Sequence, residues 1–410
     1  MKHLYVIVVF LAKITLPIIA LFKKKIRLFV NGRKQTVSKI QQLYQKEVIW
    51  IHAASLGEFE QAKPIIEELK QKYTAYKILV TFFSPSGYEI QKNYKLADVI
   101  CYLPLDTKAN AKRFINLVNP KLSIFIKYEF WPNFLNELHN KKIPTLLISG
   151  IFRSNQIFFK FYGGFMRNAL QAFNHFFVQD ENSKKLLKRI NYTNVTVAGD
   201  TRFDRVSKIL EQENSLDFIN QFVNNQFTIV AGSTWQEDEE FLVNYINKEA
   251  SNNEKFILAP HNIKNDKIAE LKKSIDKKTV LYSEREGKNL KDYKVFIIDT
   301  IGILTKIYSV ADVAYVGGGL KTGLHNILEP ATFGIPVVIG NKYDKFKEAK
   351  DLVHLGGVFS ISNQKEFSNT FIRLKEDDLY RKSTGEINKK YIQENLGATT
   401  KIMNYLKTQL

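Results

Sequence analysis

The stretch EVIWIHAASLGEFEQAKPIIEELKQK, residues 47–72, joins a short apolar run to a longer polar segment through a small turn. The run Glu47–His52 is rich in β-branched and aromatic residues, which favours a buried strand. After the turn Ala53–Glu58, a helix-like stretch continues to Lys72. A strand followed at once by a helix is the unit of parallel α/β folds, so this stretch predicts that class.

The same alternation of strand and helix continues through most of the chain. Further strands are predicted at residues 77–83, 98–103, 122–126, 145–149, 175–179, 195–198, 228–231, 255–259, 295–299, 313–316 and 336–339. Residues 201–225 lack an obvious strand and mark a domain boundary. We therefore expect two doubly wound, Rossmann-like domains, 35–205 and 206–385, that face a cleft suited to a nucleotide-using transferase.

The N-terminus differs from the rest of the chain because Leu4–Phe22 is almost wholly apolar. As a helix it would span roughly 28 Å, close to the thickness of the hydrocarbon core. A signal peptide carries its charge before the apolar run, whereas here the basic cluster Lys23–Arg27 follows it, with Arg33 and Lys34 beyond. Residues 1–34 thus predict a membrane anchor with a basic flank, and the positive-inside rule keeps the remaining chain cytoplasmic.

Two features of this segment leave alternatives open. Lys13 near its middle is costly for a full span, so an anchor lying in the membrane interface is as consistent as a spanning one. A buried first helix of the soluble domain is the other alternative. The basic flank attracts anionic lipid in either membrane arrangement.

The 410 residues include 60 Lys+Arg, 41 Asp+Glu and one cysteine, and the formal net charge is +19. That charge implies an anionic partner, either nucleic acid, phospholipid head groups or a phosphorylated substrate. Coding bias toward lysine is the alternative explanation. A single cysteine, Cys101, excludes an internal disulfide and a Cys-based zinc site.

Three candidate catalytic groups lie at the ends of first-half strands. Glu58 sits three residues after Ser55, which predicts a capping box; the same carboxylate could act as a general base, with Gly57 allowing close approach of substrate. Glu129 follows the strand 122–126 and precedes a Trp-Pro turn. Partial burial there would raise its pKa, although an ion pair with Lys127 is an alternative. Arg202 could meet an anion in the cleft or form a salt bridge between the domains.

The second half carries a denser set of motifs at strand ends. Backbone N–H groups of AGST (231–234) could hold phosphate, and the glycines of VGGG (316–319) allow close backbone approach to a ligand. Asn326 and Glu329 would share a helix face, where the carboxylate could accept hydrogen bonds from ribose hydroxyls. No P-loop or HExxH motif occurs, and His52, His261 and His325 lack ligand spacing, so no metal is expected.

Together these motifs resemble the bacterial 3-deoxy-D-manno-octulosonic acid (Kdo) transferases, which are two-domain glycosyltransferases of the GT-B fold. The resemblance covers nearly the whole chain after the anchor. Its motifs are IWIHAASLGE (49–58), TFFSPSG (81–87), YLPLD (102–106), YEFWPN (128–133), GDTRFD (199–204), AGST (231–234), DTIG (299–302), ADVAYVGGG (311–319) and HNILEPATFGIPV (325–337).

The resemblance implies an inverting transfer of Kdo from the co-substrate CMP-Kdo to a lipid A precursor, lipid IVA, at the cytoplasmic face of the inner membrane, without another cofactor. Glu58 matches the base, and Glu129 and Arg202 match positions that stabilise the transition state. The C-terminal helix, 386–410, would return to the N-terminal domain. The donor contacts would fall on Pro260, His261, Ile301, Gly302, Ile303, Asn326, Ile327, Leu328 and Glu329.

The chain departs from the family pattern at four positions. Arg202 replaces the usual lysine, His261 the usual arginine, and Ile303 the usual glutamate. The run Lys127-Tyr128-Glu129 keeps only the second of two family carboxylates. These changes bear on individual donor contacts more than on the reaction class.

Two other functions are consistent with parts of the sequence. One is a different GT-B enzyme, such as a nucleotide-sugar epimerase or a hexosyltransferase with a UDP donor. The other is a membrane-tethered binder of anionic polymer; no RRM, KH or helix-turn-helix signature supports a nucleic-acid partner.

Overall fold

The chain folds into two units in the computed structural model, which describes residues 2–410. Unit 1 runs up to Arg205 and also includes Leu396–Leu410, whereas unit 2 comprises Val206–Asn395. The chain therefore leaves unit 1 after Arg205 and re-enters it near the C-terminus.

Unit 1 alternates strands and helices around a seven-stranded sheet. Its strands are β1 (Val48–His52), β2 (Lys77–Phe82), β3 (Val99–Tyr102), β4 (Leu122–Ile126), β5 (Thr145–Gly150), β6 (His175–Val178) and β7 (Val195–Val197). The helices up to the point where the chain passes into unit 2 are α1 (Lys2–Phe22), α2 (Lys24–Lys34), α3 (Thr36–Gln41), α4 (Leu56–Lys72), α5 (Pro85–Gln91), α6 (Lys108–Val118), α7 (Pro132–Asn140), α8 (Gly164–Leu170), α9 (Glu181–Lys188) and α10 (Thr201–Ser207).

Unit 2 repeats this plan with a second seven-stranded sheet. Its strands are β8 (Phe227–Thr234), β9 (Glu254–Pro260), β10 (Thr279–Leu281), β11 (Val295–Ile297), β12 (Val313–Val316), β13 (Val337–Gly340) and β14 (Val358–Ile361). Its helices are α11 (Asp217–Val223), α12 (Gln236–Lys248), α13 (Asn265–Ser274), α14 (Leu304–Ile307), α15 (Leu328–Thr332), α16 (Lys347–Leu355), α17 (Gln364–Glu376) and α18 (Asp378–Glu394); α19 (Ala398–Leu406) belongs to unit 1.

All strand pairs in both sheets are parallel. The first sheet has the order β3-β2-β1-β4-β5-β6-β7 and the second β10-β11-β9-β8-β12-β13-β14. The direction of winding therefore reverses between β1 and β4 in unit 1 and between β8 and β12 in unit 2. In doubly wound sheets, ligands bind beyond the carboxyl ends of the strands at such a reversal.

The predicted α/β class with two Rossmann-like domains is confirmed, and all the predicted strands are present with small shifts at their ends. Two short strands, β10 and β14, were missed in the sequence. Both lie at edges of the second sheet, where β14 is only half buried along its middle and gives a weak apolar signal.

The C-terminal segment differs from the expected single helix over 386–410, because it forms parts of two helices and only Leu396–Leu410 belongs to unit 1. Helix α18 runs to Glu394 and stays in unit 2, where the Asn388 side chain donates to the carbonyls of Ile335 and Gly357. Gly397 then adopts a left-handed conformation, with φ of 99°, and α19 starts in unit 1. Its first turn is held there because Asp204 accepts hydrogen bonds from the N–H groups of Gly397 and Thr399, both at 2.6 Å.

The N-terminal helix α1 is exposed over most of its surface, which excludes the alternative of a helix buried inside a soluble domain. Within residues 2–410 it alone is long and apolar enough to cross a membrane. Its partly buried residues recur every three or four positions along one face, and the Tyr5 hydroxyl donates to Asp106 Oδ2 at 2.5 Å. That face comprises Tyr5, Val9, Ala12, Leu16 and Ala20. The helix therefore lies along unit 1 and presents an apolar face outward.

Candidate active site

In unit 1 the candidate residues gather where β1 and β4 end side by side. The two strands pair in register, with His52 opposite Phe125, so the loops that follow them meet at the same edge of the sheet. The first loop leads into α4 and carries Glu58. The second carries Glu129 and leads into α7.

Glu58 occupies the first turn of α4, where Ser55 precedes the helix. Its Oε2 atom accepts hydrogen bonds from the Ser55 N–H at 2.9 Å and from the Ser55 hydroxyl at 3.1 Å, which gives the predicted capping box. Oε1 receives no hydrogen bond from residues 2–410. Burial, together with the negative charge of Glu129, raises the pKa of Glu58 to about 7. The cap therefore holds a carboxylate that exchanges a proton near neutral pH.

Glu129 is nearly buried and is held by two ring systems. Its Oε2 atom accepts a hydrogen bond of 2.8 Å from Trp131 Nε1 and lies 3.3 Å from His52 Nε2. The other ring nitrogen of His52 is 2.8 Å from Thr81 Oγ1, so the imidazole bridges β2 and the Glu129 loop. The ion pair of Glu129 with Lys127, which the sequence left open, does not form in the part of the chain described.

The space beside Gly57 is open. A Cβ atom at this position would meet no heavy atom within 4 Å, and its φ is not in the left-handed region. Neither the backbone nor local packing requires glycine there. The absence of a side chain leaves the approach to the first turn of α4 clear.

Arg202 forms an ion pair with Asp200. Its Nε and one terminal nitrogen donate to Asp200 Oδ2 at 2.9 and 2.8 Å. The same oxygen accepts a hydrogen bond of 3.0 Å from Gln61, one turn beyond Glu58 on α4. Burial alone would raise the pKa of Asp200, but the adjacent Arg202 guanidinium holds that pKa below its ordinary value. The arginine is thus fixed to the helix that carries Glu58.

In unit 2 the predicted donor residues lie at or after the ends of β9, β11 and β12. Asn326 Nδ2 donates to Glu329 Oε1 at 3.1 Å, and the Thr305 hydroxyl donates to Oε2 at 2.8 Å. Thr305 belongs to α14, which begins directly after the exposed loop of Ile301, Gly302 and Ile303. The segments that follow β11 and β12 are therefore linked by hydrogen bonds to the Glu329 carboxylate. Ile327 and Leu328 are buried behind it.

Three aromatic rings in unit 2, those of Trp235, His261 and His325, contact one another. The Trp235 and His261 rings lie 4.5 Å apart at 22°, and Trp235 Nε1 donates to His325 Nε2 at 3.1 Å. Burial lowers the pKa of both histidines, and that of His325 falls to about 4. At neutral pH His325 is uncharged. His261, which directly follows Pro260 at the end of β9, supplies a ring face in place of the family's arginine.

The glycine run after β12 serves internal packing. A Cβ atom on Gly317 would lie 2.4 Å from the Ser233 carbonyl oxygen, because the two strand ends touch. Asp238 on α12 also accepts hydrogen bonds from the N–H groups of Trp235 and Gly318, at 2.9 and 2.8 Å. These two donors are therefore already paired, and the phosphate contact expected at 231–234 stays a prediction.

Sequence reasoning missed the parts played by His52, Trp131, Trp235 and His325. His52, Trp131 and His325 lie inside quoted motifs and Trp235 directly follows AGST (231–234), which was the available signal. Their pairing depends on contacts between loops that are distant in sequence. Among residues 2–410, no cluster of three or more His, Cys, Asp and Glu side chains could hold a metal ion.

Solved structures with similar architecture define the class of this fold. UDP-GlcNAc 2-epimerase from Neisseria meningitidis, bound to UDP-GlcNAc, superposes with a TM-score of 0.61 at 17% identity, over 88% of this chain and 100% of that one. Acinetobacter baumannii MurG gives a TM-score of 0.54 at 12% identity, over 88% and 99%. The two Rossmann-like units, each with its polar groups at the reversal of the sheet, are those of a GT-B protein.

Sequence comparison identifies the family within that class. The family model described as 3-deoxy-D-manno-octulosonic-acid transferase (kdotransferase) matches residues 28–205. The 3-deoxy-D-manno-octulosonic acid transferase of Aquifex aeolicus is 30% identical over 327 residues, 78% of this chain and 84% of that enzyme. The Haemophilus influenzae transferase is 28% identical over 376 residues, 88% and 87% of the two chains. The chain belongs to the Kdo transferase family of glycosyltransferases.

A further relative is longer than this chain. The bifunctional glycosyltransferase/methyltransferase of Fusobacterium nucleatum is 27% identical over 399 residues, which are 94% of this chain. The match spans 61% of the length of that protein.

Proposed function

We propose that the protein transfers Kdo from CMP-Kdo to a lipid A precursor, lipid IVA, with inversion at the anomeric carbon. Family membership supports Kdo transfer in lipopolysaccharide synthesis. The donor, the acceptor and the residue roles are the parts proposed here.

One observation carries the mechanism: a buried carboxylate with a pKa near neutrality, Glu58, lies at the sheet reversal beside an open space. A general base works best when its pKa is close to the operating pH, because it is then both ionised and basic. Glu58 takes the proton of the acceptor hydroxyl while that oxygen attacks the anomeric carbon of Kdo. The bond from this carbon to the phosphate oxygen breaks, and CMP leaves with the electron pair.

The two remaining groups of unit 1 act on charge that develops during this step. Positive charge builds at the anomeric carbon of a glycosyl transition state, and the Glu129 carboxylate offsets it. Trp131 and His52 orient that carboxylate. Arg202, aligned by Asp200, offers a cation to the carboxylate of the donor sugar or to its phosphate.

Unit 2 is proposed to bind the CMP moiety. Glu329, held by Asn326 and Thr305, retains lone pairs for ribose hydroxyls. Pro260 and His261 offer an uncharged surface, and the loop of Ile301, Gly302 and Ile303 offers main-chain groups and an exposed apolar side chain. No further cofactor is proposed.

The exposed apolar face of α1 and its basic flank are proposed to attach the protein to the cytoplasmic face of the inner membrane. An acylated acceptor resides in that membrane. Anionic lipid, acidic sugar and nucleotide are all attracted by a chain of net charge +19.

A single assay tests the proposal. The purified full chain in detergent, given CMP-Kdo and a tetra-acylated lipid A precursor, should produce Kdo-lipid and free CMP. Glu58→Gln should lower the rate by about 10²–10⁴-fold while CMP binding is retained, since only proton transfer is lost. Glu68→Gln, on an outer turn of α4, is the matched control and should keep the wild-type rate. No transfer by the folded wild-type protein would reject the function, and full activity of Glu58→Gln would reject the base. Protection of the protein by UDP rather than CMP would favour a UDP-dependent enzyme.

A further inference from the structure

A groove in unit 1 lies between the membrane helix and the body of the unit. Parts of α1, α2, α3 and α6 line a cavity of about 330 Å³. This volume falls at the lower end of the range of small-molecule sites, roughly 300–1,000 Å³. Its apolar lining includes Leu16, Phe29, Val37, Ile40 and Leu117.

Four cationic side chains line the same groove, and no Asp or Glu does. They are Lys13, Arg33, Lys34 and Arg113. None of the four forms an ion pair with any carboxylate in residues 2–410. Some basic residues elsewhere in the chain are paired, as Lys70 is with Asp98 at 2.8 Å. An apolar cavity ringed by uncompensated positive charge is complementary to an amphiphile with an anionic head.

Arg33 is the most constrained of the four. Its guanidinium lies 3.4 Å from the centroid of the Phe29 ring, and its two terminal nitrogens donate to the carbonyls of Phe29 and Phe83 at 3.0 and 2.9 Å. Its Nε is buried without a hydrogen-bond partner. Burial lowers the pKa of Arg33 to about 9, so the group remains charged at neutral pH. A partly buried, well-held cation with an unused donor is a place for an anionic oxygen.

The groove has few neutral polar groups, which favours a ligand with a phosphate and an acyl chain over a saccharide. Only Thr36 and Asn110 are of this kind among the lining residues. Thr36 Oγ1 already donates to the Tyr102 carbonyl and Asn110 Nδ2 to the Leu105 carbonyl. A saccharide would need several free donors and acceptors. An acyl chain needs none, and the wall formed by α1 adjoins the apolar face that meets the membrane.

We propose that this groove binds one molecule of an anionic membrane phospholipid, with an acyl chain along its apolar floor and the phosphate at Arg33 and Arg113. The bound lipid completes the packing between α1 and unit 1. This site is distinct from the general attraction of basic residues to a charged surface, and it does not rest on the transfer reaction.

The test counts bound lipid on the full-length protein. The chain, in a non-ionic detergent, is titrated with phosphatidylglycerol or with phosphatidylcholine of the same acyl chains, and complexes are resolved by native mass spectrometry. One phosphatidylglycerol should bind saturably, and at least about tenfold more tightly than phosphatidylcholine, because its net negative charge is not offset by choline.

Three variants assign the binding to the groove. Arg33→Gln and Arg113→Gln should each weaken phosphatidylglycerol binding about tenfold by removing a charge-assisted contact. Val37→Phe leaves the charge of the groove unchanged, and its larger side chain should exclude the acyl chain of the lipid. Lys112→Gln is the matched control, since it removes the same charge from α6 outside the groove and should leave binding within about twofold.

Several results would overturn the proposal. Wild-type binding by Arg113→Gln and Val37→Phe, both folded, would place the lipid elsewhere. Equal binding of the two phospholipids would show that the Lys and Arg side chains of the groove do not determine which lipid binds. Saturable binding of the lipid A precursor in the groove, with no binding of phosphatidylglycerol, would make the groove an acceptor site. Because no donor is present, failure of Kdo transfer leaves these readouts unchanged.

Discussion

Trp131 Nε1 donates a hydrogen bond of 2.8 Å to Glu129 Oε2, while the indole ring packs against Phe83 with centroids 4.5 Å apart. The ring thus fixes the carboxylate on one side and contacts the loop after β2 on the other. A hydrogen bond to a charged group contributes about 1.5–3 kcal/mol.

Replacement of Trp131 by Phe keeps an aromatic ring but removes this donor. We expect kcat to fall about tenfold or more, because the Glu129 carboxylate is no longer held in one orientation. CMP affinity, which we propose to depend on unit 2, should not change. Steady-state rates and CMP titration by calorimetry check this, and unchanged kcat would show that the hydrogen bond is not needed for orientation.

The raised pKa of Glu58 predicts an acid limb in the activity profile. The base must be ionised, so kcat/KM should rise with pH up to about 7 and then level off. Glu129→Gln removes a negative charge that disfavours ionisation of Glu58, so the limb of its residual activity should move to lower pH. Initial rates between about pH 5 and pH 9 measure the acid limb of the wild-type protein and that of Glu129→Gln. A limb that stays in place in Glu129→Gln would mean that another group titrates.

Gly57 offers a test of the open space beside α4. Gly57→Ala should fold normally and gain up to about 1 kcal/mol of stability, since alanine is the better helix former. Its kcat/KM for the lipid acceptor should fall, and Gly57→Val should lower it further. Thermal unfolding and acceptor titrations distinguish the two effects. Full activity of Gly57→Val would show that substrate does not use this space.

The Asp200–Arg202 pair should govern the stability of unit 1. Arg202→Met leaves the Asp200 carboxylate buried with a lost cation, which costs about 3–5 kcal/mol. Adding Asp200→Asn should recover part of that loss, because the uncompensated charge disappears. Since the pKa of Asp200 is depressed in the folded state, the contribution of the pair is present at neutral pH and is lost as the pH falls through that value. Urea unfolding of Arg202→Met, Asp200→Asn and the double variant tests this; additive effects would contradict the coupling.

The arrangement of α1 along unit 1 predicts an anchor in the membrane interface rather than a span. The lone thiol, Cys101, is buried and its pKa is raised to about 12, so the wild-type chain should not react with a maleimide. Single cysteines at His3, near the start of α1, and at Lys24, just beyond its end, should both be labelled by an impermeant maleimide in inverted membrane vesicles and neither in spheroplasts. Labelling of one end from each side would establish a spanning helix.

The sequence predicted the strands well where burial on both faces made them continuous apolar runs, as in Val48–His52 and Leu122–Ile126. It also predicted that Glu58 and Glu129 follow strand ends. It could not predict that His52 and Trp131 would share the Glu129 carboxylate, because that contact depends on β1 pairing with β4 across about seventy residues of chain. The short strands at the edges of unit 2 lacked a comparable signal.

The carboxylate of Asp106 has two neighbours of very different kinds. It accepts the Tyr5 hydroxyl of α1, and it also accepts the N–H groups of Asn133 and Phe134, at 3.1 and 3.0 Å, at the start of α7. The segment that leads into α7 is the one that carries Glu129 and Trp131. One side chain thus links α1 to the segment that carries Glu129, four residues before Asn133, so displacement of α1 from unit 1 should disturb the position of that carboxylate. Turnover measured in detergent micelles therefore also depends on whether α1 stays packed against unit 1.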